Sequence, residues 1–355
     1  MNARPAANEI DSGSSNFEYV CTRVRARKAK LFDEDDYRKL VRMSPNEIAR
    51  YMEENGYDRE INRLGARHSG VDLIEYALYD SMARTFHDIV GWSEGPLRSL
   101  VVDYLRKYDA WNVKTVLRGV YTDATEEEIR ADLIPAGELS EEDLDGAVAA
   151  DSVDSAVEAL GDTYFSRALD GAMDDYRDQG FLLPLENAVD RAFYTALVAE
   201  EAPQGSPRAV YYDFLRSEID LLNVRNALRV AGSPDVDVED YYVEGGEMFG
   251  REELARLVED REELVEALRE STHGDDLSDA LDMLEESDSL VEFDRALDEL
   301  LMGFAQQMTY RNPLSIAPVI AYILAKEREV NNIRGIARGK EAGLSVEEIE
   351  REVVL

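Results

Sequence analysis

The residues that could do chemistry are scarce, and they do not converge. His68, His87 and His273 lie far apart and lack metal-ligand spacing. Cys21 is the single cysteine; it cannot form a disulfide within the chain and has no partner with nucleophile–base logic. Carboxylates number 76, so any pair spacing arises by chance and no glycosidase-type pair is read from them. Gly335, Gly339 and Lys340 lie in a helical pattern that follows no strand, which is not a phosphate-binding loop. The sequence therefore points to no catalytic, cofactor-binding or metal-binding residue. What stands out is a set of basic pairs four residues apart: Lys114 with Arg118, Arg225 with Arg229, and Arg334 with Arg338. Residues at i and i+4 share a helix face. One reading is a basic lining that faces acidic groups of a partner. The other is that each pair meets a helix C-terminus or carboxylates of its own domain.

The pairs belong to a longer repeated pattern: an acid, two residues, Asn, Val or Ile, a base, three residues of apolar character, Arg. It reads Asp109 to Arg118, Asp220 to Arg229, and, with Ala337 before the last position, Glu329 to Arg338. Asp109, Asn112, Asp220, Asn223, Glu329 and Asn332 are its polar members. They sit beside the apolar stripe formed by Val113, Val116, Leu117 and Val120 and its counterparts. A polar group beside a core needs a hydrogen bond, so an interhelical bond that fixes packing is expected. The three Asn residues recur at nearly equal intervals, about a third of the chain apart. Such a period implies three related domains, each with its own core, rather than a solenoid of short repeats. The boundaries read as a loose tail over 1–14 and helical repeats over 15–125, 126–235 and 236–355, with the N-terminal helices able to pack on the third repeat.

The elements that position these residues read as helices. Apolar residues recur at helical spacing from Arg23 to Leu31, Asp35 to Met43, Asn46 to Glu54, Leu73 to Val90 and Leu97 to Val120. Strand alternation is scarce. Turn signals separate the runs, at Asn55-Gly56, Gly95-Pro96, Gly180 to Pro184, Pro203 to Pro207, Ala231 to Pro234 and Asn312-Pro313. Helix starts of capping-box type stand at Ser44, Ser140 and Ser345, each with an acid three positions on, and Gly250 is a degenerate fourth. A looser element, opening at Glu75, Asp190 and Asp294, precedes each copy of the Asn motif. Exposed linkers are expected near Pro203 and Asp235.

Composition narrows the setting. The chain has 355 residues, 76 acidic against 39 basic, and a net charge of −37. Only seven of the 39 basic residues are Lys. The acids are spread along the chain rather than gathered in a tail; an acidic partner-binding surface is one reading, and the scarcity of Lys favours the other, a protein working in molar salt, where the Debye length is about 3 Å and self-repulsion is screened. The charge argues against direct nucleic-acid binding. The most apolar stretch, Ile316 to Ala325, is about half the roughly 20 residues a membrane span requires. No leader pattern opens the chain, and one cysteine suits a reducing compartment.

The tripled Asn motif, the run Asn331 to Lys340 (NNIRGIARGK) and the opening Tyr19 to Ala26 (YVCTRVRA) resemble the C subunits of archaeal A-type ATP synthases, which are related to the d subunits of V-ATPases. The resemblance covers about residues 15 to 355. It implies an all-α fold of three similar helical domains around a pseudo-threefold axis, funnel-shaped with a central cavity. It implies a non-catalytic rotor component at the cytoplasmic face of the cell membrane, linking the proteolipid ring to central-stalk subunits of D and F type, transmitting torque in proton-coupled ATP synthesis, with no cofactor. A general helical scaffold without a rotary role is the alternative.

Overall fold

The computed structural model describes residues 15–198, 207–231, 241–287 and 290–352, and these form helices and turns with no strand among them. The expected tail over 1–14 and the linkers near Pro203 and Asp235 lie outside the described residues. The chain divides into two compact units: Met1–Tyr108 with Ile134–Glu138 and Thr309–Leu355, and Asp109–Leu133 with Leu139–Met308.

The first unit joins both ends of the chain. It holds α1 (Phe17–Lys28), α2 (Glu34–Leu40), α3 (Pro45–Met52), α4 (Asp58–Leu64), α5 (Gly70–Trp92), α6 (Gly95–Leu105), α18 (Ala317–Glu341) and α19 (Val346–Glu352). Helix α18 packs against α1 and α5. Its first turns are apolar all round, and Val319, Ile320, Ala321, Tyr322 and Ile323 are each at most 2% exposed. A helix apolar on every face is a core helix in a protein of this kind, and Pro318 sits in its first turn, where no backbone donor is lost. Among the described residues no helix is long and apolar enough to cross a membrane. Between α3 and α4 the chain makes a wide turn, Glu53–Tyr57, with Gly56 at φ 103°, a conformation that favours glycine. The Asn55-Gly56 signal falls here, and the turn delivers Tyr57 to the interior at 2% exposure.

The periodicity from Leu97 to Val120 predicts one helix, but the structure breaks it at Arg106. Helix α6 ends at Leu105, and α7 runs Lys107–Tyr121. Arg106 has ψ −11°, tighter than an α-helical turn, and its side chain pairs with Asp103 at 3.0 Å and with Glu138. Apolar spacing is preserved across the break, so periodicity alone could not find it.

The second unit holds most of α7, then α8 (Glu126–Ala131), α9 (Glu141–Val148), α10 (Val153–Ala159), α11 (Ser166–Gln179), α12 (Leu183–Val198), α13 (Pro207–Val230), α14 (Arg251–Val258), α15 (Arg261–Glu270), α16 (Gly274–Ser287) and α17 (Leu290–Arg311). Gly180, left-handed at φ 75°, ends α11 so that α12 can return against it. In the later half, Val224 and Leu228 of α13 share a buried cluster with Leu257, Leu264, Leu281 and Leu297 from α14 to α17.

Acid-and-hydroxyl caps start many of these helices. Glu47 accepts the N–H and hydroxyl of Ser44, both at 2.8 Å, and Asp143 does the same for Ser140 at 2.7 Å. Ser345 and Glu348 exchange bonds likewise. Thr125 with Glu128 and Asp33 with Asp36 are further boxes, each written plainly in the sequence as a cap residue followed three positions later by an acid.

Candidate functional site

The three copies of the Asn motif lie on α7, α13 and α18; the acid and Asn, three residues apart, share one face of each helix, and the two bases, four apart, share a face roughly opposite. The basic pairs are placed as follows. On α7, Lys114 Nζ lies 2.6 Å from Asp190 Oδ1, and Arg118 Nη2 donates to Glu186 Oε2 at 3.0 Å. On α13, Arg225 reaches Asp294 at 2.9 Å and Asp298 at 2.7 Å, while Arg229 reaches Asp294 at 2.8 Å. On α18, the Nε atoms of Arg334 and Arg338 both donate to Glu75 Oε1, at 2.9 and 2.7 Å. All six bases thus meet carboxylates of their own chain.

The acids concerned are informative. Asp190, Asp294 and Glu75 open the looser repeated element that precedes each motif in sequence. Yet each pairs with the basic helix of the preceding copy: α7 with α12, α13 with α17, and α18, the last, with α5 in the first. Exposure repeats as well. The inner base of each pair, Lys114, Arg225 or Arg334, has a side chain 18%, 25% or 34% exposed, whereas the outer one, Arg118, Arg229 or Arg338, stands at 51%, 52% or 49%. A half-exposed guanidinium on a mostly buried carboxylate is a clamp with one face still open to solvent. Nearby carboxylates hold the guanidinium groups of Arg118, Arg225 and Arg338 above their ordinary pKa, against the opposing effect of burial.

The polar members of the motif are all buried, none more than 9% exposed. Asp109 accepts the Leu139 N–H at 2.9 Å, and Asp220 accepts those of Glu247 and Met248 at 2.8 and 2.9 Å. Glu329 accepts the Phe32 N–H at 2.6 Å. In each case the donor lies just ahead of two short helices, α9 and α10, α14 and α15, or α2 and α3. Burial raises the Asp220 carboxyl above its usual range, opposed by its two backbone donors. Asn223 bonds both the C=O and the N–H of Val243 at 2.9 Å, and Asn332 is buried at 4% exposure. Asn112 is buried at 1% exposure. These bonds hold a loop to a helix, where the sequence pattern predicts a bond between two helices: the partners are backbone groups of loop residues.

A further correspondence escapes sequence matching. After α7 the Gly119 carbonyl accepts the Ala124 N–H at 2.9 Å, and after α18 the Gly339 carbonyl accepts the Leu344 N–H at 2.9 Å. Between them stand Asp123 at φ 55° and Gly343 at φ 75°. A Cβ on Gly119 would meet Ile129, and one on Gly339 would meet Ile349. The helix start at Leu344-Ser345 therefore corresponds in place to Ala124-Thr125, not to Leu139-Ser140 as residue type suggested.

Sequence reasoning also missed a buried ionic cluster in the first unit. Lys326 Nζ lies 2.6 Å from Glu329 Oε1 and 2.8 Å from the Tyr57 hydroxyl, which donates to Glu329 at 2.6 Å. Burial pushes the Lys326 ammonium down, and Glu329 opposes that shift. Its one sequence signal is a lysine three residues before an acid at the end of an apolar run. Cys21 is buried, its thiol donating to the Ser315 carbonyl at 3.3 Å. Among the described residues no three of His, Cys, Asp and Glu converge on a metal-sized site.

Comparison with known proteins agrees with the resemblance read from the motifs. The family model described as ATP synthase (C/AC39) subunit matches residues 20–352. The A-type ATP synthase C subunit of Halorubrum lacusprofundi is 54% identical over 97% of this chain and 99% of its own length. That of Haloferax volcanii is 52% identical over 97% and 99%. That of Methanosarcina mazei is 34% identical over 97% and 94%. The haloarchaeal relatives fit the reading of the −37 charge as adaptation to high salt. With the motifs, the all-α fold and a family match along nearly the whole chain, the protein belongs to the ATP synthase (C/AC39) subunit family, a non-catalytic component of a rotary ATP synthase.

Proposed function

We propose that this chain is the rotor socket of a proton-translocating A-type ATP synthase. It stands at the cytoplasmic face of the membrane, links the proteolipid ring to central-stalk subunits of the D and F types, and carries torque between them. Three similar helical domains around a pseudo-threefold axis, spanning 15–125, 126–235 and 236–355 in sequence, surround a cavity that receives the foot of the stalk. The observation that carries this reading is the threefold recurrence of the same ion-pair clamp. Each copy of the basic helix grips the acid of the next copy, and the last grips the first. Two of the clamps lie within the second unit and one within the first, so each holds helices of its own unit together and stiffens the body that carries the torque. Rigid packing of helices supplies the rest of the stiffness.

The outer arginines, Arg118, Arg229 and Arg338, keep about half their side chains in solvent. They are the part of each pair left to meet acidic groups of the stalk, while the inner bases serve the fold. Affinity purification of the tagged chain from membranes in molar KCl tests the assignment. The proteolipid and both stalk subunits should co-purify in fixed ratio. Recovery of the chain without either would refute the socket.

A further inference from the structure

In the first unit a cavity of about 580 Å³ lies among α1, α5, α18 and the wide turn after α3. It has an unusual charge balance for this chain. Acids outnumber bases 76 to 39 overall, yet the cavity is lined by four cations, Arg27, Lys30, Arg84 and Lys326, against three carboxylates, Asp36, Glu54 and Glu329. The carboxylates are already engaged. Asp36 takes Lys39 at 3.0 Å and the Tyr51 hydroxyl at 2.6 Å, Glu54 lies 3.9 Å from Arg50, and Glu329 holds Lys326, Tyr57 and the Phe32 N–H.

Donors, by contrast, are left over. Lys30 has no carboxylate within ion-pair reach among the described residues. Arg84 spends its Nε on Glu60 at 2.7 Å, and its two terminal nitrogens make no hydrogen bond there. Ser81 lies one helical turn before Arg84 on the same face of α5. It is 3% exposed, and its hydroxyl has no partner among the described residues. The Lys30 ammonium, the two terminal nitrogens of Arg84 and the Ser81 hydroxyl thus line one cavity as donors that its three carboxylates do not take up.

We propose that this cavity binds a phosphate oxyanion, either inorganic phosphate or the phosphate chain of a nucleotide, held by Lys30, Arg84 and Ser81. The full chain in molar KCl is titrated separately with inorganic phosphate and with ADP, followed by phosphorus NMR and calorimetry. One saturable site is expected. Lys30→Glu and Ser81→Ala should each weaken it, the former about tenfold or more, as loss of a charge-assisted bond implies. Lys30 is exposed, so Lys30→Glu should leave the circular dichroism and melting temperature unchanged. Saturation by phosphate assigns the free anion, and saturation by ADP alone assigns the nucleotide. If neither anion saturates at millimolar concentration, or if both variants bind as the parent does, the proposal is overturned.

Discussion

Replacing Glu75 with Gln tests the clamp that ties the two ends of the chain. Gln keeps the shape but removes the charge on which Arg334 and Arg338 converge. The Glu75 side chain is 9% exposed, and its Oε1 accepts from both Nε atoms. Breaking a fully buried pair costs about 3–5 kcal/mol, because a charge is left uncompensated. Exposed pairs are worth about 0.2–1 kcal/mol. Here the acid is buried, but the arginines are 34% and 49% exposed, so water takes up part of the lost interaction. The expected cost is about 2 kcal/mol, between those limits. Urea unfolding in molar KCl measures it, and salt should change it little at such short range. Glu341→Gln is the control. It removes a second partner of Arg338, 3.0 Å away and 53% exposed, and should cost no more than about 0.5 kcal/mol. A double-mutant cycle of Glu75→Gln with Arg338→Gln should give a coupling above about 1 kcal/mol. Equal, small effects at Glu75 and Glu341 would refute the reasoning.

Asp123 holds the left-handed position that Gly343 fills in the other copy, so Asp123→Gly should stabilise by about 0.5–1 kcal/mol, read as a higher urea midpoint. Gly119→Ala would put a Cβ 2.3 Å from Ile129 Cγ1, and it should destabilise by about 1–3 kcal/mol in the same assay. Asn223→Ala leaves the buried N–H and C=O of Val243 without partners and should cost about 2–4 kcal/mol. The carboxyls of Glu47, Glu128 and Glu348 are held below the ordinary value of 4.5, first by the backbone N–H of Ser44, Thr125 and Ser345 and then by the cap hydroxyls. A depressed carboxyl contributes stability above its unfolded pKa and loses it as pH falls through the folded one. Carbon NMR titration should therefore show these three protonating after the other glutamates, with the caps intact at pH 5 and failing below 4.5.

Much of this fold was legible because its signals are local. Helical periodicity and the acid three residues after a Ser read directly as α3, α9 and α19. The repeated Asn motif was also legible, and so was the burial of Asp109, Asn112 and their counterparts, since a polar residue inside an apolar stripe has to bond something. What could not be read was the direction of the clamps. Asp190 precedes Asn223 in sequence, but it pairs with Lys114, 76 residues earlier, and Glu75 pairs with Arg334, 259 residues later. Sequence order gives no distance for such contacts, and a helix face gives no neighbour. The cluster of Lys326, Glu329 and Tyr57 was hidden for the same reason: Tyr57 arrives from a turn 269 residues away.

The rotor assignment is tested most directly by locking the chain to its neighbours in membrane vesicles and following ATP-driven proton pumping. A short covalent cross-link between this chain and the proteolipid ring should leave pumping intact, because both turn together, while one to a peripheral-stalk protein should stop it. Pumping abolished by the link to the ring, or untouched by the link to the static part, would contradict a socket that rotates with the ring.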